Sequence, residues 1–164
     1  MADFSVNNSN NRFTLRLTVN EVSTDVVNNT STVSYTLKLI ANTGYNFVDY
    51  KIGRTVTLDG TVVYNVSRSA SGYFTLPAYS SITLATGTAV IPHDSDGSKT
   101  LSIAFSIDMA SREYTPGPLS GTRSMPLTTI PRASVLNSIS NFNVGNPITI
   151  TFTKYSSGFT DNLT

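Results

Sequence analysis

Along much of the chain, apolar residues fall on every second position. Phe13, Leu15, Leu17 and Val19 alternate with Arg12, Thr14, Arg16 and Thr18, the period of two expected of a strand with one buried face. Val33, Tyr35, Leu37 and Leu39 repeat the pattern against Thr32, Ser34, Thr36 and Lys38, where threonine on the wet face suits a pleated surface and discourages helix. Asn28-Asn29-Thr30 between the two runs reads as a turn. Val56 and Leu58 lead into Asp59-Gly60, then Val62, Tyr64 and Val66. Both positions of such a two-residue connection need positive φ, so a tight hairpin is predicted. Ile82, Leu84, Ala89 and Ile91 form a strand interrupted at Gly87, and Leu101, Ile103, Phe105 and Ile107 give the cleanest alternation. Pro92 to Lys99 must then reverse tightly, and a last strand is expected from about Gly121 to Thr128, after Pro116-Gly117-Pro118. Short antiparallel strands without an amphipathic helix predict an all-β fold, an antiparallel β-sandwich of jelly-roll or Ig-like type.

Ile130-Pro131-Arg132-Ala133-Ser134 reads as a boundary, because Pro131 lacks a ladder donor and holds Ile130 extended, while Arg132 to Ser134 offer little to a core. The expected organisation is a sandwich over 1–130, a linker over 131–134, and the start of a second small β domain over 135–164. In that last part Ile148, Ile150 and Phe152 alternate with Thr149, Thr151 and Thr153. A stretch below about 40 residues rarely closes its own core. It is therefore expected to belong to a longer chain, or to pack on the first domain or on another copy.

Charge narrows the function. Eleven Lys and Arg stand against ten Asp and Glu, and only 13% of residues are charged, too weak a field to hold phosphate backbones or anionic lipids. No nucleic-acid partner is expected. No apolar run approaches the roughly 18 residues of a membrane span, and the first residues carry no basic segment followed by an apolar one, so membrane insertion is not expected either. There is no cysteine, hence no disulfide and no thiolate metal site, and no cofactor is expected. Ser, Thr and Asn make up 61 of the 164 residues beside 39% hydrophobic residues, the balance of a folded chain that avoids Lys and Glu.

Candidate chemistry is sparse. His93 is the single histidine, and although Asp94 and Asp96 flank it, neighbours in a reversal do not supply the nucleophile, base and orienter of a triad; a solvated turn histidine is expected. Asp94-x-Asp96-Gly97 opens like a calcium loop but fails the template. Lys99 falls where the glycine belongs and Phe105 where the bidentate Glu belongs, so a bulged turn with positive φ at Gly97 is predicted instead. A glycan hydrolase would need two carboxylates about 5 to 10 Å apart; Asp108 and Glu113 are the best pair, with a surface role the plainer reading.

Aromatic residues gather in two irregular stretches, Tyr45, Phe47 and Tyr50 between Asn42 and Arg54, and Tyr73, Phe74 and Tyr79 further on. Flat rings can stack on the apolar face of a sugar with Asn, Asp and Arg as hydrogen-bonding partners, which makes Tyr45, Phe47, Tyr50, Tyr73 and Tyr79 the candidate glycan-binding residues. The alternative is that these rings cap the open end of the sandwich.

Four stretches, in order, carry a resemblance: Asn11-Arg12-Phe13-Thr14-Leu15-Arg16-Leu17-Thr18-Val19, Asn29-Thr30-Ser31-Thr32-Val33-Ser34-Tyr35-Thr36-Leu37, His93-Asp94-Ser95-Asp96-Gly97-Ser98-Lys99-Thr100-Leu101, and Leu119-Ser120-Gly121 running to Ile130-Pro131-Arg132-Ala133-Ser134. Together they resemble a family of long-tailed bacteriophage proteins, the siphophage minor structural proteins that carry a domain of unknown function. Gly145-Asn146-Pro147-Ile148-Thr149-Ile150 with Ser156-Ser157-Gly158-Phe159-Thr160 looks like the opening of the next domain in such proteins. The resemblance implies a virion component at the tail tip or baseplate of a phage of Gram-positive bacteria, made in the host cytoplasm. Other tail subunits are then the expected partners, with host-surface polysaccharide and self-association as further ones. It brings no catalytic motif, so a non-enzymatic attachment module is expected, and a carbohydrate-binding module is the alternative.

Overall fold

The computed structural model describes residues 1–110, 115–133, 135–139, 145 and 149–153. Glu113, Ser134 and Ile148, singled out above, lie outside the described residues. The fold is all-β and antiparallel, with no helix among the described residues. Strands β1 (Ala2–Asn7), β2 (Phe13–Asp25), β3 (Thr30–Ala41) and β8 (Ser81–Pro92) form one four-stranded sheet in the order β1-β2-β3-β8. Strands β5 (Gly53–Leu58), β6 (Thr61–Val66), β9 (Thr100–Asp108) and β10 (Leu119–Pro126) form the other in the order β10-β9-β5-β6. A ribbon of β4 (Phe47–Lys51) and β7 (Tyr73–Leu76) lies between them in sequence, and β11 (Val135–Ile139) pairs with β12 (Ile150–Thr153).

The alternating residues build one core. Leu15, Leu17, Val33 and Leu37 from the first sheet and Val56, Leu58, Leu101 and Phe105 from the second are all buried in a single cluster, as two packed pleated faces require. The predicted Asp59-Gly60 hairpin joins β5 to β6, and both residues have positive φ, 51° and 76°. The turn from β2 to β3 places Asn29 at φ 54°. The last strand of the sandwich starts at Leu119, two residues before the predicted Gly121, and ends at Pro126; the next amide, Leu127 N–H, bonds to Lys99 O instead.

Two features of β8 correct the sequence reading. The interruption lies at a bulge that leaves Leu84 unpaired between Thr83 and Ala85, where the inward face passes from even to odd positions, and not at Gly87. Gly87 is a notch for an aromatic ring: a Cβ there would lie 2.5 Å from the Tyr35 hydroxyl and 2.8 Å from its ring carbon. That space lets Tyr35 cross to the second sheet and donate from its hydroxyl to Val63 O at 3.2 Å. Burial, then the neighbouring Tyr64, pushes the Tyr35 phenol up, which keeps the donating form. On the opposite seam Gly121 does the same for Phe105, whose ring carbon would lie 2.7 Å from an added Cβ.

The Pro92–Lys99 reversal is tied down by backbone bonds from Asp94 N to Ser98 O and from Gly97 N to Asp94 O, both 2.9 Å. Gly97 has φ 80°, and a Cβ there would sit 1.8 Å from Ile130 O, because Ile130 N bonds back to Gly97 O at 2.9 Å and its side chain is buried. Gly60 shares the positive φ but has nothing within 4 Å of an added Cβ. Gly60→Ala should therefore cost only the conformational term, about 1 kcal/mol. Gly97→Ala adds a backbone clash and should destabilise by roughly 2 to 4 kcal/mol more. Urea unfolding of the two variants measures the difference; equal midpoints would mean that the 97–130 contact does not hold in solution.

Candidate functional site

The five candidate aromatic rings do not share one surface. Phe47 is a core residue, 5% exposed, with its ring centroid 4.6 Å from that of Phe13 in an edge-on pair. It offers no face to a sugar, which corrects its place among the stacking candidates. Phe47 and Leu76 of the β4–β7 ribbon belong to the core cluster, and Tyr50 and Phe74 pack half-buried against it. The β4–β7 pairing was invisible as alternation, since the two strands are short and their ladder slips between Phe47 and Tyr50.

Tyr50 lines an open groove of about 550 Å³ with Lys51, Ser67, Arg68, Ser69, Asp108 and Ala110. Local sequence explains how it forms. Ile52, 1% exposed, anchors the bend between β4 and β5, and its amide bonds to the Ser71 hydroxyl at 3.3 Å. Gly53 follows without a side chain, and a Cβ there would lie 2.9 Å from Arg68 N. The segment after β6 can therefore close over the start of β5 and bring Arg68 to Asp108, 3.5 Å apart. Both side chains are well exposed, so this pair adds little stability and leaves its charges open to a ligand. Tyr73 stands opposite Lys51 in the ladder, 68% exposed, with the ammonium 5.1 Å from its ring centroid. Arg54 lies 4.9 Å from the Phe74 ring centroid and donates to Ile52 O and Ser71 Oγ. Asp108 is the one carboxylate among the described lining residues.

Tyr45 and Tyr79 belong to another place, the loops that close over the β1–β2 turn. Asn42 N bonds to Arg12 O, Tyr79 N bonds to Thr43 O, and the Arg12 guanidinium lies 5.9 Å from the Tyr45 ring centroid. Tyr79 is 77% exposed and has φ 51°, a conformation that bulky residues rarely adopt. Its ring covers Gly44, where a Cβ would lie 3.5 Å away.

His93 is the largest departure from expectation. It is buried, not solvated. Its Nδ1 is 2.9 Å from Gly97 O and its Nε2 is 2.7 Å from the hydroxyl of Ser31, which is fully buried. The Ser31 hydroxyl in turn reaches Glu21 Oε1 at 2.7 Å, while Glu21 Oε2 accepts from the Thr128 amide at 2.9 Å and from its hydroxyl at 2.8 Å. A serine and a histidine in contact invite comparison with a catalytic pair. The order is wrong for one: serine sits between the acid and the base, its oxygen has no solvent access, and the carboxylate orients serine instead of histidine. Sequence reasoning missed Glu21 and Ser31 because neither neighbours His93 in the chain. Asp96 instead caps its own turn, accepting from Ser98 N–H and Oγ–H, and those bonds hold its carboxyl below the usual range. No group of three or more His, Asp or Glu that could hold a metal occurs among the described residues.

No curated protein matches the chain. The family model described as "Siphovirus protein of unknown function" (DUF859) matches residues 1–164, the whole sequence. With an all-β sandwich in place and the motif order read above, the chain belongs to this family of siphovirus proteins.

Proposed function

We propose that this protein is a structural component of the phage tail or baseplate, with the sandwich of residues 1–130 serving as an attachment module that works by surface contact and not by catalysis. The whole-length family match carries this reading, since it makes the chain a siphovirus protein and suggests a virion-associated structural role. The surface is consistent with it. Among the described residues the ion pairs are Arg68–Asp108 and Lys99–Asp59, so little of the fold depends on interactions that salt would screen. Antibody raised against the folded domain should decorate tails of intact virions in electron micrographs, and the chain should be found in purified particles. Its absence from particles would sink the proposal.

A second reading, binding of host cell-wall polysaccharide, is favoured by the groove, which joins the half-buried Tyr50 ring to Lys51, Arg68, Asp108 and two serine hydroxyls. Aromatic faces flanked by charged hydrogen-bonding groups are what sugar rings use. In a pull-down with purified host walls, Tyr50→Ala and Arg68→Ala should each weaken binding about tenfold, on the order of 1.4 kcal/mol. Tyr45→Ala and Tyr79→Ala should leave it unchanged. The reverse outcome would move the site to the loops above the β1–β2 turn, and no retention of the wild-type chain would dispose of this reading. Phe47→Ala serves as a contrast: it should cost about 3 to 5 kcal/mol of stability.

A further inference from the structure

We propose that Glu21, Ser31 and His93 form a proton-dependent latch that fixes the chain where it leaves the sandwich, closed only while the imidazole carries both protons and the carboxyl carries none. The bond count admits two closed arrangements, and the Thr128 bonds select this one. Gly97 O can only accept, so Nδ1 must hold a proton. Ser31 has one hydroxyl hydrogen, and Glu21 Oε1 takes it. Nε2 then faces an oxygen whose hydrogen is already used, and the 2.7 Å contact is a hydrogen bond only if Nε2 donates. The other closure would put a proton on Glu21 and let Ser31 donate to Nε2. The two bonds that Oε2 accepts from Thr128 favour the carboxylate instead.

What the network holds is the exit segment. Leu127 N bonds to Lys99 O, Thr128 is clasped by Glu21, and Ile130 N bonds to the same Gly97 O that His93 Nδ1 reaches. The remaining charged groups near the turn are committed elsewhere or solvated. Asp96 is used on Ser98, Lys99 is paired with Asp59 at 2.8 Å, Arg132 donates to Val26 O, and Asp94 is exposed. Glu21 is therefore the carboxylate joined to the imidazole through a hydrogen-bonded hydroxyl.

The latch opens at both ends of the pH scale. Burial pushes the Glu21 carboxyl up, but the hydrogen bonds from Ser31 and Thr128 and the charge on His93 outweigh it, so the group ends below its ordinary value. A carboxyl depressed by folding contributes stability above its unfolded value, and that contribution is lost as pH falls through the folded one. On the alkaline side, when Nε2 carries no proton, the single Ser31 hydrogen can serve Glu21 or His93 but not both, so one of the two bonds is lost.

His93 is the sole histidine, so one imidazole signal reports it in proton NMR of the full chain. The amide signals of Thr128 and Ile130 should shift with the same midpoint as that signal. Their exchange, corrected for intrinsic rate, should rise about fivefold across the step, the loss of one hydrogen bond. In Ser31→Ala the Thr128 amide no longer follows the imidazole signal, because its link to the ring runs through Ser31 and Glu21, whereas Ile130 stays tied to the ring through Gly97 O; in Glu21→Gln the acid step disappears. A Thr128 amide that ignores the imidazole in the wild type, or that still follows it in Ser31→Ala, would overturn the latch. Neither readout needs a His93 variant to fold.

Discussion

The two sheets are held together chiefly by what their inner faces bury against each other. Without a cysteine, no disulfide can staple the sheets, and the fold rests on removing alternate side chains of β2, β3, β5 and β9 from water between two pleated layers. That one constraint fixes the details that look incidental. A ring as large as Tyr35 or Phe105 fits at a seam only because the residue paired with it is glycine, Gly87 or Gly121. The bulge at Leu84 is needed because a strand paired along its length to β3 must keep its apolar residues inward. With the alternation broken there, Leu84 and Ala85 both turn in.

Sandwich strands were legible wherever burial is one-sided and the run is long. The alternation in β2, β3 and β9 reports a local property, which side of a ribbon is dry, and needs no knowledge of the partner. The Asp59-Gly60 turn was legible for the same reason, since its chemistry is contained in two residues. Where local signals fail, the sequence reading failed. β1 was passed over although Ala2, Phe4 and Val6 alternate with Asp3, Ser5 and Asn7, because the run is only six residues long and its apolar side is half-buried at a sheet edge. β4 and β7 are short and slipped, so their rings read as loop residues, although Phe47 is core.

The groove and the histidine network were illegible for a different reason. Arg68 meets Asp108 across 40 residues of sequence, and His93 meets Ser31 across 62. Each contact exists only after β5 has paired with β9, or β3 with β8, so no spacing in the chain announces it. The surviving hints are indirect. At Gly53 and Gly97 backbone from elsewhere comes too close for a side chain, and Gly53, which lies in a strand and not in a turn, is the kind of glycine that signals something packed on it.

An ionisable network whose imidazole and serine are buried while its carboxylate is half-exposed calls for a reason beyond stability in such a lightly charged domain. Two charges drawn from water into a protein rarely repay their desolvation, and apolar side chains of similar volume often hold a fold as well or better. The Glu21 network is the case at issue: it ties β2, β3, the β8–β9 turn and the exit segment at one point. An apolar plug would tolerate sliding of that segment, whereas a carboxylate that accepts from both the amide and the hydroxyl of Thr128 accepts only one register. The network thus does what hydrophobic burial cannot, setting the position and direction in which the chain leaves the sandwich toward β11.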